Sequence, residues 1–306
     1  MAGRTEGAVT TGLLLVDKPA GPTSHDVVAQ VRRGAREKRV GHTGTLDPLA
    51  TGLLVLCLGA ATRLSEYLLG EDKHYQARVR FGQATTTYDA GGEVTAVSDQ
   101  LPDRAAVEAA LAAFRGALQQ RPPAFSAIKR DGQRAYDLAR RGETVELAAR
   151  PVTIHTLEIT AWAPPEADLD VACSAGTYIR SLAHDLGQAL GCGAHLAGLR
   201  RTAVGPFRVE AAVPLDVLQA EMAAGTWAAR CQPMDLAVRH WPAVPLSADA
   251  ARRVHHGQAV PLTPAGADWG RAYNPAGEFF AILRADPAAG VWRPEKVLLS
   301  PGGDNT

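Results

Sequence analysis

The chain has 306 residues, of which 46% are hydrophobic and 21% are charged, and its 32 basic and 32 acidic residues give a formal net charge of zero. That length suffices for one large domain or two unequal ones. The balanced charge excludes a histone-like polycation but still allows local basic patches that bind nucleic acid. The four cysteines form no C-x-x-C pair and the nine histidines no H-E-x-x-H motif. We therefore expect neither a disulfide scaffold nor a structural metal site.

The longest aliphatic runs, at residues 13–16 and 53–58, are too short to cross a bilayer. The first dozen residues also lack the long apolar core of a signal peptide. We expect a cytoplasmic protein that has no membrane segment.

Hydrophobic periodicity and turn residues predict a mixture of strands and helices along the first two thirds of the chain. Strands are predicted over residues 13–17, 53–58, 74–81, 152–162 and 169–173. Helices are predicted after Thr23, where Thr23 and Asp26 offer N-cap chemistry, and over residues 60–69, 107–114 and 178–190. A glycine-rich loop is predicted over residues 41–52.

The proline content rises at residues 233–245, and the character of the sequence changes there. We expect a first domain over residues 10–235, with an exposed basic excursion at 121–147. A smaller β-rich domain, with a short helix at 249–255, is expected over residues 243–303.

The loop G-H-T-G-T-L-D-P-L-A-T-G at residues 41–52 has the most informative sequence in the chain. Its glycines allow a close approach to another molecule, and Pro48 fixes its own φ angle and keeps Asp47 out of helical geometry. A carboxylate held in a preset position suits a nucleophile or a base. An isolated Asp-Pro pair is more often a turn whose side chain caps local amides.

The pattern G-H-T-G-T-L-D-P-x-A-x-G-x-L resembles that of the TruB family of tRNA pseudouridine synthases, which modify uridine 55 in the T loop. Further blocks follow in the family's order. They are L-L-V-D-K-P-A-G-P-T-S at 14–24, K-H-Y at 73–75, G-Q-A-T-T-T-Y-D at 82–89, Q-R-P-P-A-F-S-A-I-K at 120–129, C-S-A-G-T-Y-I-R at 173–180 and L-R-R-T at 199–202. Together they cover about residues 12–210, and several blocks in register are far more specific than one short motif.

The resemblance implies an α+β pseudouridine-synthase fold, with a central mixed, mostly antiparallel sheet flanked by helices. A small PUA-like RNA-binding domain would follow. The family's reaction breaks the C1′–N1 bond of a uridine and forms a C1′–C5 bond, so no cofactor and no metal is expected. Asp47 is the implied catalytic carboxylate. Whether it attacks C1′ or removes a proton from the neighbouring carbon stays open.

The resemblance also implies roles for residues that otherwise have ordinary explanations. Tyr75 would stack on the extruded uracil, although strand aromatics usually pack in a core. Arg180 would pair with Asp47, although arginine is usually exposed. Tyr178 would pack against the same site, and Leu199, otherwise a core residue, would line the uracil pocket.

Three further residues match family positions. His42 would lie against the RNA and fill the gap left by the extruded bases, although it could equally be a solvated loop residue. Lys18 would support the active site, and Asp89 would belong to a network near it.

Basic residues are concentrated at residues 32–39, in the 121–150 segment, which is net positive by three, and at Arg200–Arg201. Most such runs are simply solvated. Here we expect them to grip tRNA phosphates, so that binding weakens with salt while the T-stem-loop is recognised by its shape. The C-terminal domain would hold the acceptor end of tRNA. We expect a monomer without an obligate protein partner.

Three alternatives differ from this interpretation. The chain could be a tRNA-binding or tRNA-folding protein without catalysis, but all the implied site residues are present. It could be a guide-RNA-dependent synthase acting on rRNA, but it has no long basic tail or obvious docking extension. Glycoside hydrolysis usually requires two carboxylates, and the motifs here offer one.

Overall fold

The computed structural model describes residues 10–125, 129–130, 133–134, 141, 147–261 and 266–299. Its strands form a ten-stranded sheet, a five-stranded sheet and two short hairpins. The strands are β1 (Gly12–Lys18), β2 (Val40–His42), β3 (Thr51–Leu58), β4 (Lys73–Phe81), β5 (Gln83–Thr85), β6 (Val94–Val97), β7 (Gly116–Gln120), β8 (Lys129–Arg130), β9 (Gln133–Arg134), β10 (Arg150–Ala163), β11 (Glu166–Cys173), β12 (Ala194–Val204), β13 (Phe207–Arg208), β14 (Val213–Pro214), β15 (Ala243–Pro245), β16 (Val260–Pro261), β17 (Trp269–Tyr273), β18 (Phe279–Asp286) and β19 (Val291–Val297).

Six α-helices connect these strands in the described part of the chain. They are α1 (Ser24–Ala35), α2 (Ser65–Leu69), α3 (Arg104–Leu111), α4 (Ile179–Ala189), α5 (Leu215–Ala224) and α6 (Ala248–His255). Short 3₁₀ helices lie at Gly59–Leu64, Ala112–Phe114, Val209–Ala211, Trp227–Arg230 and Met234–Val238.

The large sheet has the order β14-β1-β3-β12-β4-β11-β10-β7, with β2 paired to β3 and β13 paired to β12. Among the described strands of this sheet, only the β14–β1 and β3–β12 pairs are parallel. The fold is therefore α+β with a mixed, mostly antiparallel sheet, as the sequence predicts.

Strands β1 and β3 are buried on both faces. Alternate residues such as Leu54 and Leu56 face a core that includes α1, α3, α4 and α5. Their neighbours, such as Leu53 and Val55, face a second core built from the 3₁₀ helix at Gly59–Leu64, α2 and parts of the C-terminal domain. Burial on both faces explains why residues 53–58 are uniformly apolar.

Several predicted elements are confirmed. Helix α1 begins after Thr23, whose hydroxyl accepts a hydrogen bond from the Asp26 amide while the Asp26 carboxylate accepts one from the Thr23 amide. Strand β4 alternates as expected, with Tyr75, Ala77, Val79 and Phe81 buried.

Other predicted boundaries need correction. Residues 60–69 form a 3₁₀ helix followed by the short α2 instead of one α-helix, and residues 107–114 likewise divide into α3 and a 3₁₀ turn. His42 belongs to β2, so the predicted loop is shorter and runs from Thr43 to Ala50. Most of the predicted excursion at 121–147 lies outside the described residues.

Strand β12, which is not predicted from the sequence, lies in the middle of the sheet between β3 and β4. Register shifts interrupt its pairing with β4 between Leu196 and Gly198 and between Arg201 and Ala203. Such bulges break the alternation by which a strand is recognised in a sequence.

The five-stranded sheet has the order β15-β17-β18-β19-β16 and forms a small C-terminal domain with α6. Phe279, Ile282 and Leu298 pack into the second core, against the back of β1 and β3. We call the contact region between this domain and the large sheet the joint.

Three aromatic rings occupy the partly exposed side of the joint. Trp241 and Trp269 stack with 5.2 Å between their centroids, and Tyr67 meets the two rings edge-on at 5.0 and 6.0 Å. Lys296 lies 4.9 Å from the centroid of the Tyr67 ring and also contacts Glu66, which is 64% exposed. No helix in the described part of the chain is long and apolar enough to span a membrane.

Candidate active site

The loop that carries Asp47 is tied down on both sides of that residue. Leu46 is buried, and its amide donates to the Ser24 hydroxyl at 2.8 Å while its carbonyl accepts from the same hydroxyl at 3.0 Å. On the other side, the Pro48 carbonyl accepts from the Gly21 amide at 2.9 Å. The segment around Gly21 and Ser24 therefore holds the Asp47 backbone in place, a role that is not predicted from the sequence.

Arg180 lies on the first turn of α4, and its side chain is only 7% exposed. Its Nε atom lies 3.0 Å from Asp47 Oδ2, a charge contact without the alignment of a good hydrogen bond. Its other nitrogens donate to the Thr87 carbonyl at 3.1 Å and the Phe125 carbonyl at 2.9 Å. The guanidinium is thus fixed by backbone groups, and the predicted pairing with Asp47 is present in the structure.

Asp89 lies on the other side of the same guanidinium, with its Oδ2 atom 3.6 Å from Arg180 Nη1. Its Oδ1 atom accepts from the Thr87 hydroxyl at 2.7 Å and from the Gly91 amide at 3.0 Å. The Asp89 carboxylate therefore has local donors of its own, whereas the Asp47 side chain is 41% exposed and open on one side.

The Asp47 carboxylate lies among charged groups that oppose one another. Burial raises its pKa above the ordinary value of 3.8, the Arg180 guanidinium lowers it, and the Asp89 carboxylate raises it. The ammonium of Lys18 lowers it further. Burial is the largest of these effects, so the pKa of Asp47 stays above that of a solvated aspartate although Arg180 and Lys18 favour the ionised form.

Lys18 ends β1 and is fully buried. Its ammonium donates to the carbonyls of Pro19 at 2.9 Å and Pro22 at 2.8 Å. Burial lowers its pKa from 10.5 to about 8, against the attraction of Asp47. The lysine thus supports the turn before α1 and adds positive charge near the carboxylate.

Tyr75 and Leu199 come from the adjacent strands β4 and β12, on which Tyr75 pairs with Arg201 and Leu199 with Ala77. Tyr75 is buried, and burial raises the pKa of its phenol, opposed by the positive charge of Arg201. Leu199 is half-buried against the first core.

His42 and Tyr178 are both half-buried. The His42 Nδ1 accepts from the Gly44 amide at 3.4 Å, and burial together with the charges of His25 and Arg201 lowers its pKa. Tyr178 precedes α4, where its amide and carbonyl both bond the Gln120 side chain. The Arg150 guanidinium lies 4.7 Å from the centroid of the Tyr178 ring.

The expectation that Arg200 and Arg201 both grip phosphates is wrong for Arg201, which is only 2% exposed. Arg200 is 39% exposed and makes a bidentate ion pair with Asp17, at 3.0 and 2.7 Å. By contrast, Arg32, Arg33, Arg36, Lys38 and Arg39 are all exposed, and Arg33 and Arg36 line a groove of about 770 Å³ between α1 and α5.

The structure brings Asp47, Arg180 and Asp89 into direct contact and couples Lys18 and Tyr75 to them electrostatically. Within the described residues, no group of three or more histidine, cysteine, aspartate or glutamate side chains could hold a metal ion. This group of five residues, which we call the cleft, offers one partly exposed, ionisable carboxylate at a fixed position. Such a carboxylate can act as a nucleophile or as a base.

Comparison with family models gives two adjacent matches. The N-terminal domain model of the TruB family pseudouridylate synthases matches residues 32–179, and the C-terminal domain model of tRNA pseudouridylate synthase B matches residues 180–239.

The chain is also similar to whole proteins. It is 46% identical over 296 residues to tRNA pseudouridine synthase B of Burkholderia mallei (strain NCTC 10247), covering 94% of this chain and 97% of that protein. It is 47% identical over 276 residues to the protein of the same name from Pseudomonas aeruginosa (strain UCBPP-PA14), covering 89% and 91%.

Two solved structures have the same fold. A chain from a Cbf5-Nop10-Gar1 complex superposes with a TM-score of 0.73 at 30% identity, covering 96% of this chain and 87% of that one. A chain from an H/ACA RNP bound to a substrate RNA containing 2′-deoxyuridine gives a TM-score of 0.73 at 26% identity, covering 97% and 87%.

Proposed function

The chain belongs to the TruB family of pseudouridylate synthases, and from that premise we propose that it isomerises uridine 55 in the T loop of tRNA with Asp47 as its catalytic carboxylate. The observation that carries this proposal is the position of Asp47. Its backbone is anchored on both sides, its side chain is 41% exposed, and its Oδ2 atom lies 3.0 Å from Arg180.

Isomerisation requires the C1′–N1 bond to break, the uracil to turn, and a C1′–C5 bond to form. A carboxylate beside the ribose can attack C1′ or remove a proton from the neighbouring carbon, and the geometry is compatible with both. A group held in place in advance speeds such a step because it does not have to search for its orientation. We expect the reaction to need no cofactor and no metal.

The remaining site residues receive roles in handling the extruded nucleotide. We assign stacking on the uracil to Tyr75 and an apolar wall of the pocket to Leu199, since an extruded base must replace its lost stacking partners. Tyr178 completes the site next to Arg180, and His42 fills the gap in the RNA. Lys18 and Asp89 hold the charge balance around Asp47 and Arg180.

The RNA would be gripped by exposed basic residues. The run at 32–39 and the groove between α1 and α5 fit a phosphate backbone, and affinity carried by such contacts falls with salt. We divide the chain into a catalytic domain at residues 10–235 and a smaller domain at residues 243–303. The smaller domain fits a PUA-like role in holding the acceptor end of tRNA. We also propose that the protein is cytoplasmic and works as a monomer without an obligate protein partner.

The similarity to chains from the Cbf5 and H/ACA complexes favours one alternative, a guide-RNA-dependent synthase acting on rRNA. A single substrate distinguishes the two proposals. A standalone tRNA enzyme acts on T-arm RNA without any added guide or protein, and a guide-dependent enzyme does not.

The direct test follows tritium release from T-arm RNA labelled at uridine C5. The wild-type protein is expected to release tritium without additions. The Asp47→Asn variant is expected to release none while its RNA affinity in a gel shift stays close to that of the wild type. If the wild type binds this RNA and releases no tritium, the enzymatic proposal fails and an RNA-binding role replaces it.

A further inference from the structure

Arg201 lies beneath the loop that carries Asp47. It belongs to β12, and its side chain is among the largest that are fully buried. Its Nε atom donates to the Leu53 carbonyl at 2.8 Å, and Nη2 donates to the Gly44 carbonyl at 3.0 Å. One guanidinium thus joins the strand that leaves the loop to the loop residue three positions before Asp47.

The same guanidinium also acts on Tyr75 through its charge. The two residues are register partners on the adjacent strands β12 and β4, and the positive charge of Arg201 lowers the pKa of the Tyr75 phenol against the effect of burial. Arg201 therefore bonds to the loop and to β3, and its charge acts on the side chain assigned to the uracil.

The charge of Arg201 has an unusual environment. None of the ion pairs found among the described residues includes it, although a buried guanidinium normally has an acidic partner. Its bonds go instead to the carbonyl oxygens of Leu53 and Gly44. Burying a cation in this way lowers the stability of the fold. The bonds that this cation makes hold the Asp47 loop to β3.

Its neighbour Arg200 provides a contrast within the same strand. Arg200 is 39% exposed, and its guanidinium is bound to Asp17 through two hydrogen bonds. Two consecutive arginines in one motif therefore have different tasks, because one faces the surface and the other the interior.

We propose that Arg201 is a positioning residue for the isomerisation: it fixes the Asp47 loop through Gly44 and places a positive charge on the strand next to Tyr75. This inference rests on the proposed function. Since Arg201 is buried, it acts without touching RNA, so its loss lowers the rate of the bound complex and leaves affinity nearly unchanged.

The test compares Arg201→Gln with Arg200→Gln on T-arm RNA by single- and multiple-turnover tritium release. For Arg201→Gln we expect kcat to fall roughly 10- to 100-fold, since small misplacements of reacting groups cost about that much, while KM stays within about threefold. Arg200→Gln is expected to act mainly on KM and on its salt dependence. The control, Arg78→Gln, removes an exposed arginine paired with Asp168 and is expected to change neither constant.

Two outcomes overturn the proposal. If Arg201→Gln raises KM and reduces its salt dependence with kcat unchanged, Arg201 is a phosphate contact. If it changes neither constant, Arg201 is only part of the core. Should the variant fail to fold by circular dichroism, Arg201→Lys carries the test, with an expected kcat loss of roughly threefold to tenfold because a lysine cannot make the separated bonds of the guanidinium.

A readout that requires no RNA separates this inference from the proposed function. The pKa of the Tyr75 phenol, followed by NMR of ¹³C-labelled tyrosine in the whole protein, is expected to rise in Arg201→Gln because the cation on the neighbouring strand is lost. An unchanged Tyr75 titration overturns the positioning role even if the wild type proves inactive on tRNA. If the Tyr75 pKa rises in Arg201→Gln but the wild type is inactive on tRNA, the positioning role of Arg201 is supported and only the proposed function fails.

Discussion

The Asp47 cleft and the joint to the C-terminal domain both connect distant parts of the chain, but they do so by different means. In the cleft, buried charges lie close together, with Arg180 between two carboxylates and Lys18 and Arg201 beneath the loop. In the joint, aromatic rings and apolar side chains form most of the contact, and Glu66 stays at the exposed rim. One partly buried ion pair also crosses the joint, with Arg271 Nη1 3.3 Å from Asp235 Oδ2.

This difference indicates that the cleft is less stable than it could be, because its charged groups serve the function. Buried charges carry a desolvation cost that well-packed apolar groups avoid. The joint relies mainly on apolar and aromatic packing because it has only to hold two domains together. The cleft keeps charges because a reaction that moves negative charge needs fixed, oriented groups. Substitutions in the cleft should therefore change rate and pH dependence, whereas those in the joint should change stability alone.

The largest effect is expected from Arg180→Lys. The lysine keeps the positive charge but loses the bonds to the carbonyls of Thr87 and Phe125, so we expect activity to fall roughly 100-fold. Because Arg180 lowers the pKa of Asp47, a weaker attraction should raise that pKa. The acidic limb of the pH–rate profile would then move to higher pH.

Single-turnover rates between pH 5 and 8 measure this shift. Arg78→Lys, which changes an exposed arginine on β4, is the control and should leave the profile unchanged. An acidic limb that stays in place in Arg180→Lys would separate the ionisation of Asp47 from Arg180.

The next largest effect is expected from Gly52→Ala. Gly52 has a φ angle of +98°, and an added Cβ would lie 2.3 Å from the Arg201 carbonyl oxygen, at the parallel β3–β12 pairing. We expect a loss of about 2–3 kcal/mol in the free energy of unfolding, since the clash is with backbone.

Urea denaturation measures this loss, and Gly41→Ala is the matched control because no atom lies within 4 Å of its added Cβ. A Gly52→Ala variant as stable as Gly41→Ala would mean that the loop and β12 are not closely packed.

A smaller effect on stability, whose sign reverses as pH rises, is expected from Lys18→Met. The folded-state pKa of about 8 lies below the ordinary value of 10.5, so burial of the charged form costs about 3 kcal/mol at pH 7. Losing the bonds to Pro19 and Pro22 offsets part of the gain, at about 1 kcal/mol each. We expect a variant that is about 1 kcal/mol more stable at pH 7 but less active.

The pH dependence tests the sign. Between pH 8 and 10.5 the unfolded chain binds more protons than the folded one, so the wild type gains stability as pH rises and the advantage of the variant disappears. Lys73→Met removes a second buried lysine with a pKa of about 8 and should behave alike in stability while retaining activity. A constant stability difference from pH 7 to 10 would contradict the buried cationic state of Lys18.

The smallest effect is expected in the joint, from Glu66→Gln. Its contact with Lys296 is solvent-exposed, and exposed ion pairs contribute about 0–1 kcal/mol. The free energy of unfolding, measured by thermal denaturation, should change by no more than about 0.5 kcal/mol, and kcat should not change. A clear loss of activity would show that the joint communicates with the cleft, and the contrast between the two regions would then be wrong.

The sequence was sufficient to locate the loop that we propose to be catalytic and half of the strands of the large sheet. Asp47 stands out because its loop motif is long, and β4 because its alternation is regular. Arg180 could be placed only through the family resemblance, since arginine is usually exposed and composition alone gives no reason to bury it. The contacts of Gly21 and Ser24 with the loop were not predictable, because they join residues more than twenty positions apart.

Arg201 illustrates a second limit. Its strand contains two register shifts, so neither the strand nor the side that Arg201 faces follows from alternation. Two adjacent arginines near an RNA-binding motif suggest a phosphate contact, and only the fold separates the buried one from the exposed one. The C-terminal domain was predicted as β-rich, but its short strands gave no order for the sheet.

The most direct test compares Asp47→Asn with Asp89→Asn, which change the two carboxylates on either side of Arg180. Each protein is incubated with unmodified tRNA, and pseudouridine is mapped along the product. The wild type is predicted to form it at position 55, Asp89→Asn to form less at the same position, and Asp47→Asn to form none while still binding the tRNA. Pseudouridine at position 55 made by Asp47→Asn would contradict the assignment of that carboxylate as the catalytic group.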